Sequence, residues 1–321
     1  MPFLRLKKGT KCRRLRRPLN STGTELLIEQ SPPHPSGVDE SRTTYLGFEH
    51  VSISFGTNQV LSDVSFDVMP GETVCILGRS GVGKSVCLRI LMGFLKPDVG
   101  RVIAAGEDIT DYSEMELERL RKKVTMVFQS GALFDSLTVW ENVAFPLQER
   151  RMLCRGIPSE EQIAQTVDDL LEMVGAKHTS SLLPSDISTG MKRSVAIARA
   201  LAAKPKAVLF DEPTTMVDPL MARRLGGVFQ KLKLDLKLTS VVVTHDMRLV
   251  EKLAGHVVFL DRGKVIFCGT PTEMGRSPER LVQQFLQLDR MDLRAALDWS
   301  EAGTDGKDDT SGPASTQPFV I

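Results

Sequence analysis

Short stretches of alternating or continuous apolar residues recur along the middle of the chain, separated by turn-forming residues. Alternation predicts three strands near the start of this region, in FEHVSISF, LSDVSFDV and ETVCILG. A further strand is predicted in KKVTMVFQ. The nearly all-apolar runs KAVLFDEP and TSVVVTHD are typical of strands buried in a parallel sheet. The segment HVVFLDRGKVIFCG predicts a hairpin that turns at Arg262 and Gly263.

Other segments have the period of an amphipathic helix. KSVCLRILMGF predicts a helix with one apolar face, ended by Gly93 and by Pro97 beyond it. PSEEQIAQTVDDLLEMVG predicts another helix, in which Ser159 and Gln162 form a capping box. One face of this second helix carries Ile163, Val167, Leu170, Leu171 and Val174. A glycine, Gly175, is expected to end it.

Strands that alternate with helices predict an α/β fold, which we expect to occupy residues 44–288. Residues 1–43 are rich in Pro, Ser, Thr and Arg without sustained periodicity, so a basic, disordered arm is predicted there. Residues 289–321 are expected to form a C-terminal helix and a low-complexity tail. No internal repeat is visible, which predicts a single copy of the catalytic unit in each chain.

Composition narrows the class of protein only slightly. The 41 basic residues nearly cancel the 40 acidic ones, so overall charge favours neither nucleic-acid binding nor its absence. No apolar run reaches the roughly 18 residues of a membrane-spanning helix. The five cysteines lack metal-ligand spacing and suggest no disulfide framework. Cys75 and Cys87 stand in apolar contexts and are expected to be buried.

A glycine-rich loop between a predicted strand and a predicted helix is the first chemical signal. GRSGVGKS, Gly78 to Ser85, fits the pattern G-x-x-x-x-G-K-S. Glycines let consecutive backbone N–H groups converge on phosphate oxygens, and a helix N-terminus favours negative charge. Lys84 is expected to reach the β- and γ-phosphates of a nucleotide, and the Ser85 hydroxyl to coordinate Mg²⁺. The alternative, a chance glycine-rich turn, does not require this strand-loop-helix context.

Polar residues at the ends of three other predicted strands complete a nucleotide site. Asp211 ends an apolar strand and can hold Mg²⁺, and Glu212 then lies where a general base could polarise water. His245 is expected to end the strand TSVVVTH and to sense a γ-phosphate, although a lone histidine there is more often structural. Gln129 is expected to end the strand before SGALF and to reach Mg²⁺ or water; a capping role is the alternative.

In this order, the motifs resemble the nucleotide-binding domain of an ATP-binding-cassette (ABC) transporter over about residues 45–288. The resemblance implies a P-loop ABC fold with a RecA-like core, an antiparallel β subdomain and an α-helical subdomain at about residues 130–200. It implies that Lys84, Glu212 and His245 are catalytic, and that Ser85, Gln129 and Asp211 hold Mg²⁺. Further contacts to ATP are implied for Phe55, Gly78, Arg79, Ser80, Gly81, Val82, Gly83, Val86, Ser188 and Gly190. As a lone aromatic residue, Phe55 could equally belong to the core.

The segment ISTGM, residues 187–191, resembles the ABC signature, usually L-S-G-G followed by Q or M. In the family, this loop faces the γ-phosphate of ATP bound by the other subunit, which implies a homodimer with two composite sites. Thr189 replaces a glycine of the signature, and Met216 stands where the D-loop usually has glycine. A Cβ at Thr189 narrows the backbone choices and crowds the approach to phosphate. The D-loop aspartate matches Asp218.

Two segments narrow the subfamily. SGALFDSLTV, after Gln129, and Met191-Lys192-Arg193 resemble the ATPases of Mla-type lipid transporters, including the toluene-tolerance and Mkl-like groups. The resemblance implies an ATPase pair at the cytoplasmic face of the inner membrane. There the pair would work with a permease and an MCE-domain protein to move phospholipid or another lipid between Gram-negative membranes. Ser130 to Phe134 should grip the permease. No nucleic acid is expected. An importer of a small polar solute and a soluble ABC ATPase acting on DNA or ribosomes remain the alternatives.

Overall fold

A computed structural model describes residues 43–153, 159–217 and 219–288. Its strands are β1 Leu46–Phe55, β2 Asn58–Val68, β3 Thr73–Gly78, β4 Val99–Ala104, β5 Glu107–Asp108, β6 Val124–Val127, β7 Ala207–Asp211, β8 Thr239–Val243, β9 His256–Asp261 and β10 Lys264–Gly269. Its helices are α1 Lys84–Leu91, α2 Glu114–Arg121, α3 Val139–Leu153, α4 Glu160–Met173, α5 Thr189–Ala202, α6 Pro219–Leu234, α7 Met247–Leu253 and α8 Pro271–Gly275. The predicted disordered arm, apart from residue 43, and the predicted C-terminal tail lie outside the described residues.

The strands form two sheets. One has the order β2-β1-β4-β5 and is antiparallel, and the other has the order β10-β9-β3-β8-β7-β6. In the second sheet β9, β3, β8, β7 and β6 are parallel, and β10 joins β9 through the predicted hairpin. The observed α/β architecture with a separate antiparallel sheet agrees with the predicted fold class.

Burial on both faces of the parallel sheet explains its nearly continuous apolar strands. In β3, Cys75 and Leu77 belong to one hydrophobic core, whereas Val74 and Ile76 belong to another. The first core is shared with helices α3 to α7, and the second lies toward α1 and the antiparallel sheet. The sheet therefore lies between two packed layers, which fix the positions of its strand ends.

Helices α3, α4 and α5 pack on one another. Helix α4 begins with the predicted capping box of Ser159 and Gln162 and ends before Gly175, which has a φ of 73°. Of its predicted apolar face, Leu170 is only partly buried. None of the helices in the described residues combines the length and apolar character that crossing a bilayer requires.

Three details differ from the sequence-based expectations. Strand β6 ends at Val127, so Gln129 lies in the loop after it, and β8 ends at Val243, so His245 also follows its strand. Both strands stop where their pairing with β7 stops, at Phe210 and Asp211 respectively. Cys75 and Cys87 are free and buried as predicted, but Cys268 is disulfide-bonded, which the sequence does not suggest.

Candidate active site

The glycine-rich loop connects the end of β3 to the start of α1. Gly78 has a φ of 147°, and a Cβ there would lie 2.4 Å from the carbonyl oxygen of Leu260 on the neighbouring strand β9. Gly83, the N-cap of α1, has a φ of 104°, and a Cβ would lie 2.7 Å from Leu61. Glycine is therefore needed at both ends of the loop, for backbone conformation and for close packing.

Alanine substitutions at two loop glycines should separate packing from backbone strain. Gly81 has a φ of 80° but open space around its Cβ position, so Gly81→Ala should cost about 1 kcal/mol of unfolding free energy. Gly78→Ala adds the clash with Leu260 and should cost about 2 to 4 kcal/mol. Urea unfolding of both variants without nucleotide measures the difference. Equal losses would contradict the packing argument at Gly78.

Lys84 is the first residue of α1, and its side chain folds back over the loop. Its Nζ donates to the carbonyl oxygens of Gly78 at 2.9 Å and of Arg79 at 3.1 Å. The same ammonium lies 3.7 Å from Glu212 Oε1, and Lys84 is only 8% exposed. A buried positive charge is thus held at the mouth of the loop, where a phosphate group would replace its carbonyl partners.

Ser85 and Asp211 meet across the end of the sheet. The Ser85 hydroxyl donates to Asp211 Oδ1 at 2.8 Å. Burial raises the pKa of Asp211, and the hydrogen bond from Ser85 opposes that rise. Within the described residues no group of three or more His, Cys, Asp or Glu side chains could hold a metal. A hydroxyl and one carboxylate fit Mg²⁺, which usually takes few protein oxygens and completes its shell with phosphate and water.

Glu212 follows Asp211 in a turn with a φ of 47°, and three side chains surround its carboxylate. Thr215 Oγ1 donates to Glu212 Oε2 at 2.9 Å, and His245 Nδ1 lies 2.8 Å from the same oxygen. Lys84 approaches the other oxygen, Oε1. The carboxylate is therefore held beside the phosphate loop, as a base that orients water would have to be.

The charges of this cluster depend on one another. Burial alone would raise the pKa of Glu212, but hydrogen bonds from His245 and Thr215 and the nearby positive charges together hold that pKa below its ordinary value. The hydrogen bond to Glu212 raises the pKa of His245, and burial opposes the rise. An ionised carboxylate next to a partly protonated imidazole is thus favoured near neutral pH.

A titration of His245 should show this coupling. In the wild-type chain we expect its NMR titration midpoint to lie above the ordinary histidine pKa of about 6.5, and Glu212→Gln should lower it toward that value. The stabilising charge of His245 is fully present below pH 6.5 and is lost as the pH rises through the raised pKa. His245→Gln identifies the resonance. An unchanged midpoint in Glu212→Gln would rule out the carboxylate as the cause.

These groups converge because the parallel strands end at one edge. Ile76 of β3 is paired with Val243 of β8, which is paired with Asp211 of β7. Val127 of β6 is paired with Phe210 of β7, so the chain enters the Gln129 loop at the same edge. Gln129 itself is exposed.

The other predicted contacts lie around this edge. Phe55 ends β1 in the antiparallel sheet and is 47% exposed, as an aromatic that stacks on a base must be. Arg79, Ser80 and Gly81 are exposed in the loop, whereas Val82 and Val86 are partly buried against the second core. The structure thus brings together two groups of predicted residues at this edge. Ser85 contacts Asp211, and Glu212 contacts both Lys84 and His245.

The signature segment forms the start of α5. Ser188 is the N-cap, and its hydroxyl accepts from the backbone N–H of Met191 at 3.3 Å. Thr189 is the first helical residue and is exposed, so this backbone conformation does not require glycine. Gly190 is buried, and a Cβ there would lie 2.5 Å from Met221.

In the D-loop, Met216 is 87% exposed with a φ of 58°, a conformation that favours the glycine it replaces.

Two residues that contact Glu212 were not assigned a role from the sequence. Thr215 lies three residues after Glu212, and a threonine at this spacing from an acidic residue is a pattern typical of local side-chain hydrogen bonds. Arg193 was noted only for its resemblance to the lipid-transport ATPases, yet its guanidinium contacts the turn at Glu212. Asp218 lies outside the described residues.

The sequence of the chain is similar to the sequences of known ABC transporter proteins. The family model for the ABC transporter matches residues 61–215. The chain is 36% identical to the intermembrane phospholipid transport system ATP-binding protein MlaF of Haemophilus influenzae, over 74% of this chain and 89% of the relative. It is also 36% identical to the methionine import ATP-binding protein MetN of Campylobacter jejuni, over 72% of each chain.

Solved structures give the same result. The dimeric post-hydrolysis state of the ATP-binding cassette MJ0796, bound to ADP and Pi, superposes with a TM-score of 0.65 at 31% identity, covering 70% of this chain and 98% of that one. The cbiO1 protein of Clostridium perfringens, part of the ABC transporter complex cbiONQ, also gives a TM-score of 0.65, at 28% identity and over 80% and 99% of the two chains.

Proposed function

Because this chain belongs to the ABC transporter family and is an ATP-binding, ATP-hydrolysing subunit, we propose that two copies of it power lipid transport. The observation that supports the catalytic part most directly is the convergence of Lys84, Ser85, Asp211, Glu212 and His245 at one sheet edge. The lipid and the partner proteins are inferred from resemblance.

We assign each side chain a step in hydrolysis. Lys84 leaves the Gly78 and Arg79 carbonyls and binds phosphate oxygens, which offsets the charge that develops on the transferred group. Glu212 orients and polarises the attacking water, and His245 holds the γ-phosphate. Ser85, Asp211 and Gln129 are the residues that would hold Mg²⁺, whose bound charge would neutralise the phosphates.

We propose that each ATP is shared by two chains. Ser188 caps α5 at an exposed helix start, where N–H groups and the helix dipole favour a negative partner. The loop of Gly78 to Ser85 in one chain and Ser188 with Gly190 in the other would enclose the γ-phosphate. Because each chain has one copy of both parts, a homodimer with two sites follows.

The lipid substrate is supported by the extent of similarity as well as by local sequence. The chain spans 89% of the phospholipid transport protein of Haemophilus influenzae but 72% of the methionine import protein of Campylobacter jejuni, although identity is 36% in both. The segment of residues 130–139 resembles the lipid transporters. We therefore propose phospholipid or a related lipid, moved between Gram-negative membranes, and retain an importer of a small polar solute as the second candidate.

A permease contact is proposed for the loop after Gln129. Phe134 is 43% exposed and packs against Phe145 with ring centroids 4.7 Å apart, and the Arg199 guanidinium lies over its ring. Arg199 also donates to the Gly131 carbonyl oxygen at 3.1 Å, which fixes the loop. Such a rigid, exposed aromatic patch suits an integral membrane partner at the cytoplasmic face of the inner membrane. An MCE-domain protein would complete the complex.

Purification from native membranes tests this assignment. The tagged full-length chain is extracted in mild detergent, and co-purifying proteins and lipids are identified by mass spectrometry. We expect a permease, an MCE-domain protein and phospholipid. Phe134→Asp should release all three, whereas Met115→Asp, at a 70% exposed position on α2, should not. A solute-binding protein with a different permease would move the chain to the importer class, and recovery only with ribosomes or DNA would refute transport.

A further inference from the structure

Arg193 is a buried charged residue to which the proposed catalytic steps assign no role. It lies on α5, five residues after the N-cap Ser188, and is only 4% exposed. Its NH1 nitrogen lies 3.2 Å from the carbonyl oxygen of Pro213 and 3.4 Å from that of Glu212. Its Nε has no hydrogen-bond partner in the part of the chain that the structure describes. An arginine is buried at this cost only where its charge has a specific partner.

The turn that Arg193 contacts is the one that presents the proposed base. Glu212 has a left-handed φ of 47°, a conformation that a non-glycine residue adopts only when its surroundings hold it there. Its backbone N–H donates to the Val243 carbonyl oxygen of β8 at 2.9 Å. Its carbonyl oxygen faces Arg193. The backbone of Glu212 is therefore anchored on one side by the sheet and on the other by α5.

The same face of α5 contacts the segment that follows this turn. Gly190 packs so closely that a Cβ would lie 2.5 Å from Met221 and 3.2 Å from Val217. The Ser194 hydroxyl lies 4.0 Å from the Met221 sulfur. One rigid helix thus joins the Ser188 loop to the turn that holds Glu212.

We propose that Arg193 is a positioning residue, which holds the Glu212 carboxylate in line for water and couples it to the Ser188 end of α5. This inference rests on the proposed hydrolytic role of Glu212. The guanidinium suits the task, since its NH1 group carries two N–H donors and lies within reach of both adjacent carbonyl oxygens, whereas a lysine ammonium would lie one bond closer to the backbone of α5. Through α5, the contact of Ser188 with the partner's nucleotide would reach the base in its own chain.

A double-mutant cycle in the full-length chain tests whether Arg193 acts through Glu212. Steady-state ATP hydrolysis is measured over a range of ATP concentrations for the wild type, Arg193→Met, Glu212→Gln and the double variant. We expect Arg193→Met to lower kcat about 100-fold while changing the KM for ATP less than about threefold. In the Glu212→Gln background, where the base is already absent, the same substitution should cost less than about threefold more.

Lys192→Met is the matched control, because it removes a positive charge from the adjacent position of the same helix, where the residue is only partly buried. It should keep kcat within about twofold of the wild type. Losses that multiply in the double variant, or an Arg193→Met chain with wild-type kcat, would overturn the proposal. An inactive wild type would instead refute the proposed function.

Arg193→Lys keeps the test decisive if Arg193→Met does not fold. Lysine retains the buried charge, but its ammonium nitrogen is one bond closer to the backbone than NH1 of arginine, so it would not reach the two carbonyl oxygens in the same geometry. We therefore expect kcat to fall about tenfold with an unchanged melting temperature. Full activity of a folded Arg193→Lys chain would show that the position of the NH1 donors is not needed and would overturn the positioning role.

Discussion

Replacing Glu212 by glutamine is expected to lower kcat for ATP hydrolysis about 10²- to 10⁴-fold, the usual contribution of a general base. Glutamine has nearly the same shape and can still accept from Thr215, but it cannot take a proton from water. The affinity for ATP should change only a few-fold, because the phosphate loop and Lys84 are unaltered. Phosphate release and nucleotide binding, measured on the same purified chain, separate the two effects.

Glu251→Gln provides the control for this substitution, because Glu251 is an exposed carboxylate on α7. It should leave both kcat and ATP affinity within about twofold of the wild type. If Glu212→Gln hydrolyses ATP at the native rate, Glu212 is not the base, and its contacts with His245 and Thr215 serve another purpose.

Replacing Lys84 by alanine should weaken ATP binding and slow ATP hydrolysis. The ammonium is buried at the mouth of the loop, and hydrogen bonds to charged groups contribute about 1.5 to 3 kcal/mol each. ATP affinity should therefore fall about 10- to 100-fold. The rate at saturating ATP should fall about a further 10²- to 10³-fold, because charge on the transferred phosphoryl group is no longer offset. Binding is measured by calorimetry and the rate by phosphate release.

The control for Lys84 is Lys96→Ala, which removes an exposed ammonium that pairs with Asp111 at 2.7 Å. Both ATP affinity and rate should be unaffected by it. If Lys84→Ala binds ATP as tightly as the wild type, the phosphate-binding role of Lys84 is wrong.

Site residues could be predicted from the sequence where their motif consists of residues close together along the chain. The glycine-rich loop can be recognised from Gly78 to Ser85 because backbone freedom, a helix start and a lysine must occur at fixed spacing. Asp211 was placed correctly at the end of β7, because apolar strands end where polar residues begin. The capping box at Ser159 was likewise correct, since it involves residues only three apart.

Contacts between distant segments were not predictable in the same way. The ends of β6 and β8 depend on how far each strand pairs with β7, so Gln129 and His245 were placed two residues too close to their strands. The contact of Arg193 with the turn at Glu212 joins residues 19 positions apart. A basic residue in an amphipathic helix usually faces solvent, and only the packing of α5 on this turn shows that Arg193 does not.

The most direct test of the account is the mass in solution of the Glu212→Gln chain with and without Mg²⁺ and ATP, measured by light scattering. Because ATP is proposed to join two chains and this variant cannot consume it, we expect a monomer without nucleotide and a dimer with it. Ser188→Arg in the same background should bind ATP but remain monomeric. A Glu212→Gln chain that binds ATP and stays monomeric would contradict the composite site between two copies of this protein.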